Sequence, residues 1–515
     1  MTDLGTESCA LLTIILRYYN LLPYDARDSP NTGVGCDPSG RRSVPPASHP
    51  NCVGGLIMFR VLAGKTGRYC DGLTRRSFLQ LGVAGMVSVG LGEVLRARAA
   101  GTSRKDNAVI LLWLDGGPSH VDLYDMKPDT PVEYRSYWKP IRTNVPGLDI
   151  TELFPKQAQV ADKFSIVRSL HHDSGDHYTG GHIMLTGRAG RVSAGKTDGE
   201  YPSIGSIVAK VRGRNRPGMP AYVALPYAKS IGIRPGYFGA NYLGGPYNPF
   251  EAGADPSQPE FDPHNPTMRA PRFQMPEGVT IARLHDRKKL LAHFDTLRRD
   301  IDRDRAFESL DWFQREAIEM ATGPAARKAF DLSTEDPRLR DRYGRNSWGQ
   351  LTLLARRLAE AGSTFVTVHL GGWDHHLNLK SAHEALCPAL DTAVASLFAD
   401  LDQRGQLERT LVVLCGEFGR TPKIMNYGNK DGTPGRDHWG NAMFCLLGGG
   451  GVQGGRIVGS TDRLGQAPKD RALTPPDIHA TIYHVLGIDP ATPFLDHTGR
   501  PVAAADATKP IAELL

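Results

Sequence analysis

Apolar residues along this chain fall into two patterns that alternate. Asn107–Leu114 is an almost continuous apolar run, the mark of a strand buried on both faces. Phe164–Leu170 reads as a second strand. Leu351, Leu354, Ala355 and Leu358 keep helical spacing, Gly362 stops that helix, and Thr364–Leu370 is the next buried strand. The cycle then repeats. Leu390, Val394, Leu397 and Leu401 line one helix face, Gly405 ends it, and Thr410–Cys415 is again a strand. Met443–Leu447 runs into Gly448–Gly451, and Asp477–Leu486 reads as a closing helix. Helices alternating with buried strands predict an α/β fold: a mostly parallel sheet covered on both faces, a three-layer α/β/α sandwich.

Between the halves the pattern is lost. Tyr227–Pro266 is rich in Gly, Pro, Asn and aromatic residues, so a loop-rich insertion is expected near 227–275. Arg283–Arg305 and Leu310–Met320 then predict charged outer helices.

Charge changes the picture mainly at the N-terminus. The formal charge of +6 is small for 515 residues and is inflated by the N-terminal region, so nucleic acid is not an expected partner. Arg75-Arg76 precede a weakly apolar stretch, Leu81 to Leu91, and then Ala97-Arg98-Ala99, a small-x-small cleavage pattern. Residues 58–100 therefore read as a twin-arginine export signal, with the folded domain over 101–515 in the periplasm or at the cell surface. The apolar run is too short and interrupted to span a bilayer stably. Residues 1–57 resemble neither a signal nor a domain, and Met58 lies a normal distance before the arginines, so 1–57 is expected to be a non-native or disordered extension. Of seven cysteines only Cys387, Cys415 and Cys445 follow the expected cleavage, in apolar or helical contexts that predict buried free thiols.

Candidate chemistry gathers where strands end. Asp115 follows the first strand in Asp115-Gly116-Gly117-Pro118-Ser119-His120. Asp374, His375 and His376 follow the strand ending at Leu370, and Glu417 and Arg420 follow Cys415. Asp437 and His438 precede Met443. Open α/β sheets bind ligands beyond the carboxyl ends of their strands, where residues distant in sequence converge. Two carboxylates about 4 Å apart repel by roughly 4 kcal/mol at an effective dielectric near 20, so acids gathered there call for a cation. Carboxylate with imidazole is a ligand set for Zn, Mn or Fe. Neighbouring residues rarely all reach one ion, so Asp374 and one of the two histidines are expected to bind. The alternative for these acids is ordinary use: Asp115 as a helix cap, Glu417 in a salt bridge to Arg420. The segment from His171 to His182 holds four histidines and two aspartates and is expected to face the same place.

With those residues in hand, the chain resembles the alkaline phosphatase/sulfatase superfamily and, within it, the bacterial DUF1501 family. The motifs are Leu114-Asp115-Gly116-Gly117-Pro118-Ser119-His120, Gly372-Trp373-Asp374-His375-His376, Gly416-Glu417-Phe418-Gly419-Arg420-Thr421-Pro422 and Gly435-Arg436-Asp437-His438-Trp439, in that order. The resemblance implies an alkaline-phosphatase-like domain holding two divalent cations (Zn, Mn, Ca or Mg). Asp115, Asp374, Glu417, Asp437 and His438 would be ligands, with His375 or His376. It also implies hydrolysis of phosphate or sulfate esters, small-molecule or polysaccharide. The position of the superfamily's nucleophile falls on His177, where no Ser, Thr or Cys stands; Thr179 lies two residues on. His177 or Thr179 is the expected attacking group, and Arg420 the expected holder of the ester's oxygens. Ser119, His120, Asp176 and His182 are expected around the metals or the substrate. The altered nucleophile motivates a second expectation: a non-catalytic metal- or glycan-binding component of an exported assembly, with a cell-surface protein partner.

Overall fold

A computed structural model describes residues 106–190, 200–252, 323–426, 433–507 and 509–515. The expected extension, the export signal, the charged helices 283–305 and 310–320 and the later part of the insertion lie outside the described residues. Eight strands form the central sheet: β1 Ala108–Trp113, β2 Ser165–Leu170, β3 Tyr222–Leu225, β4 Phe250–Glu251, β5 Phe365–His369, β6 Thr410–Cys415, β7 Met443–Gly448 and β8 Ile457–Val458. Their spatial order is β8-β2-β7-β6-β1-β5-β3-β4. β1 lies at the centre, parallel to β5 on one side (Ile110↔Val366) and to β6 on the other (Ile110↔Val412). β7 alone runs against its neighbours, antiparallel to both β6 and β2.

The continuous apolar runs have the cause inferred from the sequence. Along β1, Ile110, Leu112 and Leu114 belong to one hydrophobic cluster, while Val109, Leu111 and Trp113 belong to another. Successive strand residues point to opposite faces, so a strand covered on both sides is apolar throughout. The first cluster is completed by helices α3 (Ser347–Ala361) and α4 (Leu379–Gln403), through Leu351, Leu354, Leu358, Leu390, Val394 and Leu397. The second is completed by α1 (His177–Thr186), α2 (Ile204–Arg212) and α5 (Pro475–Leu486), through Met184, Ile207, Val208, Ile478 and Ile482. This is the three-layer α/β/α sandwich.

Local signals set the boundaries. Asn346 caps α3 by accepting from Gly349 N at 2.9 Å, and a Thr474–Asp477 capping box starts α5. The described part of the insertion folds through short 3₁₀ turns and returns as β4, pairing Phe250 with Val223 at the sheet edge. Cys387, Cys415 and Cys445 are buried free thiols. Among the described residues, no helix is long and apolar enough to cross a membrane.

Candidate metal centre

The loops after β1, β5 and β6 and the segment before β7 meet at one rim of the sheet. Leu370 N donates to Trp113 O at 2.8 Å, and Gly372 N and Trp373 N both donate to Asp115 O at 3.1 Å, so the β5 loop is stitched to the β1 loop. Gly116 permits that closeness. Its φ is +113°, and a Cβ there would lie 2.6 Å from Asp374 N. The short strands Gly419–Arg420 and His438–Trp439 pair antiparallel and bring the β6 loop beside the β7 approach.

Asp374 is the hub. Its Oδ1 lies 3.0 Å from His376 Nε2, 3.1 Å from His438 Nε2 and 2.6 Å from Arg420 Nη2. Its Oδ2 is 3.3 Å from His177 Nε2, off the hydrogen-bond axis. Burial would raise this carboxyl's pKa, but the nearness of His177, His438 and Arg420 prevails and holds it well below the usual carboxylate range. His376 Nδ1 reaches Asp437 Oδ1 at 3.3 Å, and His376 Nε2 stands 2.9 Å from His438 Nε2. Two overlapping sets therefore offer ligand atoms all within 4.8 Å of one another: His177, Asp374 and His438, and His376, Asp437 and His438.

The donor set fits a cation. His438 Nδ1 donates to Gly175 O at 2.7 Å, so a ring carrying that hydrogen alone would present its Nε2 lone pair beside Asp374 Oδ1, 3.1 Å away. His376 Nε2 can supply one hydrogen to that trio at most. Burial, with Arg420 and His438, holds His376 below its ordinary pKa despite Asp374. Facing lone pairs on nitrogen and oxygen are what a divalent ion satisfies.

Behind the hub, Glu417 is fully buried. Its Oε1 accepts from Gly116 N at 2.8 Å and faces His177 Nδ1 at 2.7 Å, while Oε2 has no hydrogen-bond partner. Burial raises its pKa, and nearby Asp115 adds to the rise. His177, the first residue of α1, bridges Glu417 and Asp374. Burial opposes its charge, but the two carboxylates raise its pKa to about 9. Phe418 packs against the rings of His177 and His438, with centroids 4.9 and 4.6 Å away.

Other expected site residues take different places. Asp115 stands outside both ligand sets: Ser230 Oγ, Ile231 N (2.8 Å), His369 Nε2 (3.0 Å) and Trp113 Nε1 (3.3 Å) surround its two oxygens. The Arg420 guanidinium is buried against Asp374 and the carbonyls of Gly116, Gly117 and Arg436, so it braces the loops rather than facing an ester. The His375 ring turns towards His383, 5.4 Å between centroids, while its carbonyl accepts from Arg436 N. Asp176 caps α1 by accepting from Thr179 N at 2.9 Å, which places Thr179 in the first turn. Ser119 donates to Asp122, and His120 Nε2 lies against Gly465 O at 2.8 Å; both are buried beneath the loops. His182 packs near Tyr201, away from the hub. Sequence reasoning missed His369, Ser230 and the Asp122–Arg436 pair. Only His369, ending a buried strand, carried a signal.

An α/β/α sandwich with imidazoles and carboxylates converging at its carboxyl rim defines the class of this protein. Residues 106–515 match the family described as "Protein of unknown function (DUF1501)", and the chain belongs to that family. No curated protein matches its sequence. Among solved structures it is similar to the PsFucS1 sulfatase from Pseudoalteromonas sp., with 15% identity over 76% of this chain and 70% of that one, at a TM-score of 0.33. It is also similar to a protein of the alkaline phosphatase superfamily from Vibrio parahaemolyticus (11% identity, 75% and 67% covered, TM-score 0.34). Alkaline phosphatase from the Antarctic bacterium TAB5 is a third (14% identity, 75% and 99% covered, TM-score 0.33). At these scores the likeness is distant, and the chemistry below is read from this chain's own residues.

Proposed function

We propose that this protein is an exported, metal-dependent hydrolase of phosphate or sulfate esters. The observation that carries the reading is the convergence of His177, Asp374, His376 and His438 at one rim, with ligand atoms close enough to share an ion. Asp374, His376, His438 and Asp437 would hold a divalent cation, with His177 and Glu417 beside them towards a second. Three imidazoles among the donors suit Zn or Mn better than Ca or Mg, which favour oxygen. Bound cations would polarise the ester and stabilise the oxygens of an in-line displacement.

The chain's own groups divide the remaining work. Glu417 fixes the His177 ring through Nδ1, which turns Nε2 into the cluster. Of the two residues expected to attack, His177 is the one the cluster contains. Phe418 covers the rings and limits water around them. The substrate is proposed to be a small-molecule or polysaccharide ester, reached after twin-arginine export.

The second reading, a non-catalytic metal- or glycan-binding component with a cell-surface partner, is favoured by one observation: the Arg420 guanidinium is turned inward, onto Asp374 and the carbonyls of Gly116, Gly117 and Arg436. One experiment separates the two. Protein recovered from the periplasm, loaded with Zn, Mn, Mg or Ca, is offered aryl phosphates and aryl sulfates. Metal-dependent turnover above an Asp374→Ala control supports hydrolysis. Tight metal binding with no turnover, and co-purification of a surface protein, supports the second reading.

A further inference from the structure

Asp122 and Arg436 form an ion pair with both side chains fully buried. Arg436 Nε lies 2.7 Å from Asp122 Oδ2, and Nη2 lies 3.2 Å from Oδ1. Such a pair is an expensive way to hold a fold together. Two charges leave water, and replacing both by apolar groups of similar size is often neutral or stabilising. What Arg436 does with its other donors points elsewhere. Nη1 donates to Thr421 O at 3.1 Å and to Pro422 O, and Nη2 donates to Arg135 O at 3.3 Å. Its own N donates to His375 O at 3.1 Å, and its carbonyl accepts from Arg420 Nη1, also at 3.1 Å. Arg420 in turn grips Asp374. One guanidinium thus links the helix turn after β1, the loop after β6 and the chain immediately before Asp437 and His438.

Resting on the metal reading above, we infer that the Asp122–Arg436 pair is a positioning device for the cation ligands Asp374, Asp437 and His438. The segments it ties meet otherwise through short backbone pairings, Gly419–Arg420 with His438–Trp439 and Met425 with Gly435, and the fork adds side-chain bonds across them. Without the fork, the carbonyls of Thr421, Pro422 and Arg135 lose their donor. His438 and Asp374 then lose a common reference, although each keeps its own contacts to Gly175 O and Arg420.

Three forms of the full chain test this: wild type, Arg436→Met, and Asp122→Leu/Arg436→Met. Each is followed by thermal unfolding and by calorimetric titration with Mn or Zn. Arg436→Met alone should melt well below wild type, because it strands a buried carboxylate. The double variant should melt within a few degrees of wild type, yet bind the metal at least about tenfold more weakly, as loss of a metal site's supporting contacts does. A double variant that binds metal as tightly as wild type overturns the inference. So does one that fails to regain the melting temperature, since the pair would then be holding the fold. If wild type itself binds neither ion, the metal reading fails first and this inference falls with it.

Discussion

Asp115 and Asp374 follow adjacent central strands, and their backbones touch, yet their surroundings differ. Asp115 is 4% exposed and has donors around both oxygens: Trp113, Ser230, Ile231 and His369. Asp374, its side chain 36% exposed, lies 3.0–3.3 Å from three imidazole nitrogens. One acid is enclosed by donors on both oxygens, and the other stands part-exposed among imidazoles. An acid at a strand end therefore has two meanings, and the hydrogen-bond partners, not the strand, decide between them.

The largest way to break this comparison is at the hub. Asp374→Ala should weaken Zn or Mn binding by at least about 100-fold, since removing a ligand costs more than the 10–100-fold of a supporting contact. Turnover of an aryl ester should fall to background while the melting temperature stays near wild type. Calorimetric metal titration and an ester assay read both.

Asp115→Ala should do the reverse. Several buried donors lose their acceptor at about 1–3 kcal/mol each, so unfolding free energy should drop by roughly 3–5 kcal/mol. Urea denaturation measures this, and an unchanged midpoint would sink the distinction between the two acids.

Acidity sharpens the contrast between the rim and the core. Burial lowers His479, bonded to Met184 O, to about 4. Its folded value lies below the unfolded one near 6.5, so its contribution is complete above pH 6.5 and is lost as pH falls towards 4. That is about 3 kcal/mol at 1.36 kcal/mol per pH unit. His177 at the rim has the opposite sign. Raised to about 9, it stabilises the metal-free protein below pH 6.5, and that stability is lost as pH rises through 9. Melting curves from pH 4 to 10, with chelator and with Mn, should show the alkaline loss with chelator alone and the acid loss in both.

The smallest effect lies between neighbours. His376→Ala should weaken metal binding about tenfold or more, while His375→Ala should leave it within about twofold, since only the former ring enters the cluster. Equal losses would mean that the loop inverts when metal binds.

The fold was legible because burial on both faces writes itself into consecutive residues; β1, β5, β6 and β7 appear within a residue or two of where the apolar runs put them. Short strands such as Tyr222–Leu225 and, at the sheet's edges, Phe250–Glu251 and Ile457–Val458 carry too few residues for a period. At the rim, the closeness of Asp374, Glu417 and His438 was legible because each borders a strand. The choice between His375 and His376 was not legible, because it depends on Arg436 N holding the His375 carbonyl. Arg420 read as a substrate holder because its carbonyl partners come from a loop some 300 residues earlier. His182 falls five residues after His177, about 140° around the helix, which carries it off the rim face.

The reversed strand β7 has a consequence for how this centre tolerates change. Its neighbours deliver their side chains after the strand, through loops that can lengthen outward into solvent. His438 arrives before its strand, tethered by only Trp439 to Ala442, and Gly440 is clamped there: a Cβ would lie 2.3 Å from Ser174 O. Length variation should therefore be refused in the short leash ahead of Met443, where a single inserted residue would swing the imidazole out of reach.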